Sequence, residues 1–282
     1  MDGSHGEEPT EAPTQDRSLE ARFERRLEMA VPARNNPKLR ALLDAVNADD
    51  DLYGLWIAAN VNAVERLDMT DHGPVHVKIV MNLAVRLMRL LTEAGLEPGV
   101  SANYGMTRED AEVVVALAAL LHDVGISIHR AEHESYSLFI ANQKLNELLP
   151  AAYSPREVTI MRSEILHAII SHRSGGKPFT PEAGVVRVAD ALDMAKGRSR
   201  IPFEAGSVSI HSVSAAAVES VSLTRGKERA VCVTVDLSNS AGLFQVDQLL
   251  REKVAGSGLE DWIEIHGRMS EDEKSLLTDF RL

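Results

Sequence analysis

From residue 52 to residue 196 the chain repeats one pattern: apolar side chains at three- and four-residue intervals, interrupted at Gly73-Pro74, Gly95–Gly105, Gly125, Pro150 and Gly175-Gly176. Apolar residues at that period line one face of a helix, and glycine and proline end helices. The stretch therefore predicts helices over 52–67, 75–94, 108–121, 132–149, 155–171 and 181–196. Shorter amphipathic segments precede it at 18–29 and 35–47. After Pro202 the period changes. SVSIH (207–211), ESVSLTR (219–225), AVCVTVDL (230–237) and WIEIHGRM (262–269) collect β-branched residues as strands do, with helical patterns at 212–219 and, more clearly, at 244–255. The order βαββαβ is that of a ferredoxin-like split unit. The expected architecture is mainly α: a helical domain over 18–201 with its core at 52–200, then a small α/β accessory domain over 202–282. Residues 1–17, polar, acidic and broken by prolines, read as a disordered tail.

Charge narrows the partners. The formal net charge is −12 and aromatic residues make up only 4%. That balance opposes a surface tracking a long nucleic acid and leaves small anionic substrates open. Cys232 is the sole cysteine, so the sequence offers neither an internal disulfide nor a thiolate metal cluster. No run of about 18 apolar residues suits a membrane span. A soluble cytoplasmic protein is expected, with the α/β unit available for regulation or homodimer formation.

Residues 117–126 read LAALLHDVGI, a buried helix and the turn that ends it, with His122 and Asp123 side by side. Isolated polar groups are costly to bury, and a carboxylate in such a run is far better tolerated when it meets a cation. The bland alternative is a core histidine with Asp123 capping the turn. Other residues enlarge the set, because His72, His76, His129, His133, His167 and His172 all fall in the helical half, with Asp190. In TDHGPVHVKIV (70–80), Pro74 suits a helix start, Asp71 or His72 a cap, and His76 the first turn. Imidazole and carboxylate together suit first-row divalent metals.

H-V-K-I-V at 76–80, LLHDVG at 120–125 and VVRVADALDMAKGR at 185–198 together resemble the HD-domain metal-dependent phosphohydrolases, over about residues 52–200. The resemblance implies that His76, His122, Asp123 and Asp190 bind a first divalent ion. RAEHESYS (130–137) and ILHAIISHRSGG (165–176) resemble the segments that add a second, through His133 and a later histidine. His167 and His172 are five residues apart, or roughly 140° around an ideal helix. His172, at the helix end beside the glycines, is preferred; His167 reads as a supporting or core residue and His129 as a loop residue. H-x-x-x-H at 72–76 resembles cyclic-nucleotide phosphodiesterases, in which the earlier histidine protonates the leaving oxygen; His72 is the candidate acid, with helix capping as the alternative. Asp123 would serve catalysis as well as binding.

Arg198, Lys196 and Arg173 are candidate phosphate contacts, and Asp193 a candidate to touch substrate or orient a ligand. The expected activity is hydrolysis of a phosphomonoester or phosphodiester, with a nucleotide as substrate, by a metal-activated water. Manganese, iron or magnesium, one ion or two, fits an open His/Asp site better than closed structural zinc. Two rivals are a ligand-sensing scaffold without turnover and a di-iron oxygenase on the same helices.

Overall fold

The computed structural model describes residues 18–33, 36–173, 175–194, 217–243, 245–269 and 279–281. The expected tail, the strand at 207–211, residues 212–216 of the helix expected at 212–219 and the boundary near residue 201 lie outside them. Val218 and Glu219, at the end of that expected helix, belong to a strand instead.

Nine helices open the described chain: α1 (Leu19–Glu24), α2 (Pro37–Ala48), α3 (Asp50–Asn60), α4 (Pro74–Glu93), α5 (Gly99–Tyr104), α6 (Arg108–Leu121), α7 (His133–Leu148), α8 (Pro155–Ser171) and α9 (Pro181–Leu192). Four begin with proline, whose missing N–H loses nothing in a first turn. Asn36, Ser154 and Thr180 cap three of these with side-chain oxygens. The break expected at 95–105 itself contains α5.

α6 is the axis of the helical body. Every residue from Val113 to Leu121 is fully buried, as expected of a helix that is apolar all round. Helices α4, α8 and α9 pack about it, so its C-terminal end opens into the interior rather than into solvent.

The C-terminal unit is a four-stranded sheet in the order β1-β2-β3-β4: β1 (Val218–Arg225), β2 (Val231–Leu237), β3 (Ile263–Met269) and β4 (Asp279–Arg281). A π-helical turn at Gln245–Leu250 runs into α10 (Arg251–Val254) between β2 and β3. On one sheet face, Val233 stands between Leu223 and Ile265, and all three join the same hydrophobic core as the helices. The mainly helical class followed by a small α/β unit is as expected. Its strand order corrects the ferredoxin-like reading. A split unit places another strand between the two ends of its crossover, whereas β2 and β3 pair directly and in parallel. Strand periodicity fixes which face is buried and leaves the neighbour undetermined. Among the described residues no helix is long and apolar enough to cross a membrane.

Asp110 ties three parts of the helical body together. Its Oδ2 accepts from the Thr107 backbone N–H at 2.9 Å, capping α6, while Oδ1 accepts from Lys38 Nζ at 2.7 Å and Tyr153 O–H at 2.8 Å. Burial pushes its pKa up, but Lys38, the Thr107 amide and Tyr153 outweigh that and hold it below the ordinary 3.8. A depressed folded pKa means stabilisation that is complete above the unfolded value and lost as pH falls through the folded one. Asp110→Ala should therefore lower unfolding free energy by about 3 kcal/mol near neutral pH, the low end for breaking a buried pair. Urea titration should show the wild-type advantage shrinking in acid, below the ordinary carboxylate range.

Candidate metal centre

Five helix ends meet at one place. His76 lies in the first turn of α4, His122 and Asp123 follow α6, His133 opens α7, His172 follows α8, and Asp190 and Asp193 sit at the end of α9. At the start of α4 the cap is Asp71, whose Oδ1 accepts from the N–H groups of Gly73 and His76 at 3.2 and 3.1 Å. His72 places its Nδ1 2.6 Å from Thr70 O, and its ring stands 5.4 Å from the His76 ring, centroid to centroid.

Asp123 occupies the middle, and its two oxygens face different partners. Oδ2 lies 3.4 Å from His76 Nε2 and 3.2 Å from His122 Nε2. Asp190 Oδ1 joins that side, 3.6 Å from His76 Nε2 and 3.7 Å from His122 Nε2. Oδ1 of Asp123 lies 3.0 Å from His133 Nε2 and 3.7 Å from His172 Nε2. Glu134 flanks the second side, grouped with His133 and His172.

Hydrogen bonds behind the rings set which nitrogen faces inward. His122 Nδ1–H donates to Ala119 O at 2.8 Å, His172 Nδ1–H to Ile169 O at 2.6 Å, and His76 Nδ1–H to Asp193 Oδ2 at 2.6 Å. Each Nε2 is thereby turned to the centre, the arrangement by which proteins orient metal-binding imidazoles. With metal–ligand bonds of about 2.1 Å, donors around one ion stand roughly 3–3.5 Å apart. The Asp123 contacts with His76, His122 and His133 fall in that range, and those of Asp190 and His172, at 3.6–3.7 Å, lie just beyond it, so the residues fit a divalent ion.

Electrostatics point the same way. Burial pushes the Asp123 carboxyl up, but His122, His133 and His76 outweigh it and hold the pKa well below 3.8. Burial pulls His122 down, yet Asp123 and Asp190 raise it to about 10. Burial, reinforced by the His122 charge, lowers His172 to about 3. The ionised carboxylates attract positive charge, which the His122 proton supplies here; a divalent ion would have to displace that proton in order to bind.

The HD domain family matches residues 75–195. The uncharacterized protein MJ1020 of Methanocaldococcus jannaschii is 40% identical over 215 residues, which cover 76% of this chain and 83% of that protein. The chain belongs to the HD-domain superfamily. Proteins of this class are generally metal-dependent hydrolases and bind divalent metal ions, and the His/Asp groups suited to that are present here.

The structure thus brings together His76, His122, Asp123, His133, His172 and Asp190, with His72 at the edge. His167 points elsewhere, its Nε2 accepting from Phe179 N at 2.9 Å and its ring stacked on that phenyl group. Of the two readings of Asp193, touching substrate or orienting a ligand, the geometry matches the second: it receives the Nδ1–H of His76 just past the last turn of α9. Arg173 is exposed, and its carbonyl is held by Arg187. Lys196 and Arg198 lie outside the described residues. Sequence reasoning missed Lys253 and Glu134. Glu134 had a local signal, its place beside His133; Lys253 had none, because 63 residues separate it from Asp190.

His172→Ala should lower the amount of divalent ion retained by purified protein, measured by elemental analysis, whereas His167→Ala should leave it near wild type. The reverse order would move the ligand to His167.

Proposed function

We propose that the protein is a phosphoric ester hydrolase that cleaves a small phosphomonoester or phosphodiester, with a nucleotide as the substrate class, using two divalent ions drawn from manganese, iron or magnesium. One observation carries the proposal: the two oxygens of Asp123 face two separate sets of imidazoles, His76 with His122 and His133 with His172. In this reading Asp123 would serve both sets, and Asp190 would join the first. Mixed His/carboxylate donors of this kind favour open, reactive metal sites over closed structural zinc.

A divalent ion bound there lowers the pKa of water and polarises the phosphoryl oxygens. The chain's own residues supply the rest. Asp193 holds the His76 ring, and the Ala119 and Ile169 carbonyls hold His122 and His172, so the donors need little reorganisation when ligand arrives. His72 is assigned as general acid. Its Nδ1 lies 2.6 Å from Thr70 O and its ring stands beside that of His76 at the edge of the cluster, where an imidazole can give a proton to the leaving oxygen. The alternative role of capping loses its support, since Asp71 fills it. Lys196 and Arg198 remain the proposed phosphate contacts on sequence grounds.

Turnover of nucleotides and generic phosphoesters with each metal tests the activity, followed as inorganic phosphate for monoesters and as the monoester and alcohol products for diesters. Oxygen consumption without phosphoester turnover would favour the oxygenase, and neither would favour the scaffold. For the mechanism, His72→Ala should retain bound ions and lower kcat by roughly 10²–10⁴-fold for alkoxide leaving groups. The loss should nearly vanish for a nitrophenyl ester, whose leaving group departs without a proton. Equal losses on both would reassign His72 to positioning.

A further inference from the structure

The C-terminal unit reaches the metal centre. Lys253, on α10, donates from Nζ to His172 O at 2.7 Å and lies 3.4 Å from Asp190 Oδ2. Those two residues belong to opposite sides of the centre, on α8 and α9. Asp190 uses its other oxygen, Oδ1, toward His76 and His122. A single ammonium group therefore grips the outer oxygen of one candidate ligand and the backbone of another while standing outside the donor set itself. Among the described residues, no other lysine or arginine forms an ion pair with Asp123 or Asp190.

The backbone of α10 is anchored as firmly as the lysine head. Arg187 of α9 is buried, and its guanidinium donates to four carbonyls: Lys253 O at 3.0 Å, Glu252 O at 3.5 Å, Gly176 O at 3.2 Å and Arg173 O. One planar fork thus joins α10 to the turn that follows His172. One turn earlier on α9, Gly184 lets the C-terminal unit approach; a Cβ there would stand 2.2 Å from Ser257 O. Gly184, Arg187 and Asp190 recur at three-residue spacing, so one strip of α9 meets the C-terminal unit and ends at a candidate ligand.

We propose that Lys253 is a positioning residue of the metal centre, holding Asp190 and the His172 turn in ligand geometry, and that the small α/β unit is thereby a structural part of that centre. The inference rests on the reading of Asp190 and His172 as ligands. Two effects of removing Lys253 oppose each other. Loss of a positive charge strengthens the attraction of the remaining carboxylates for a divalent ion. Loss of the grip frees Asp190 to turn and the end of α8 to fray. The lysine side chain is 21% exposed, so solvent weakens the first effect, whereas the second is geometric and is not screened.

Titration with cobalt(II) and manganese(II), in competition with a chromophoric chelator, tests this without substrate. Lys253→Met should weaken ion binding by roughly 10–100-fold, the usual loss when a partner behind a metal ligand is removed. At saturating cobalt its visible ligand-field spectrum should also differ from wild type, a change that general loss of stability would not produce. Lys253→Gln, which keeps an amide donor, stands in if the methionine variant does not fold, with the same direction expected. Binding as tight as wild type, or tighter, overturns the positioning role. Asp190→Ala is measured alongside. If it loses the ion while Lys253→Met does not, only the inference about Lys253 fails. If Asp190→Ala binds as wild type does, the ligand reading fails and this inference falls with it.

Discussion

A carboxylate that is 4% exposed at the end of a helix apolar throughout its C-terminal half has to be neutralised where it stands. Asp123 is carried there by α6, which cannot be shifted outward without exposing Val113 to Leu121. The surrounding structure answers that demand. Four imidazoles converge on its two oxygens, each from a different helix, and each helix must end at the right depth to deliver one. Gly125 shows how tight the delivery is: a Cβ there would lie 2.1 Å from His133 O. The turn after Asp123 and the start of α7 can touch only because that side chain is missing. Folding and site formation are here one event, since the packing that buries α6 also assembles the cluster.

The same logic extends through α9. Its N-terminal half carries Glu182, whose buried carboxylate accepts from the Gly99 and Val100 amides at 3.0 Å and fixes α5 against it. Its C-terminal half carries Arg187, Asp190 and Asp193, which face the C-terminal unit, the cluster and His76 in turn. One helix of twelve residues therefore connects three regions that are distant in sequence. A change in the seating of the sheet would be felt at Asp190 through two residues rather than through a long path.

Much of this was legible in the sequence because it depends on local chemistry. Proline at the helix starts, glycine at the breaks and the apolar run of 113–121 locate the helices, and the order of His76, His122-Asp123 and Asp190 identifies the family. What was not legible depends on which surfaces meet. Lys253 reads as one more polar residue of an amphipathic helix until α10 is placed against α9. Asp193 reads equally as a substrate group or as a residue that orients a ligand, because its partner, His76, is 117 residues away. The direct pairing of β2 with β3 is likewise invisible, since alternation of side chains is identical whichever strand lies alongside.

The histidines share one further device. A helix leaves its last carbonyls without intrahelical partners. His122 and His172 each occupy the position just past such an end and return Nδ1 to the carbonyl three residues back, at Ala119 and Ile169. In these two residues the bond satisfies an orphan acceptor and turns Nε2 inward in the same stroke. His133 opens a helix instead, and its Nδ1 meets two groups of Arg130, the guanidinium at 2.8 Å and the carbonyl at 3.1 Å. A histidine in mid-helix has no such acceptor, because the carbonyl behind it is already engaged by the helix. His167 illustrates the difference: four residues before the end of α8, it finds its partners in Ser171 and Phe179 instead, and faces away from the cluster. Placement at helix ends is therefore what makes these imidazoles ready to bind a metal ion, and it accounts for five helix termini meeting at a single point.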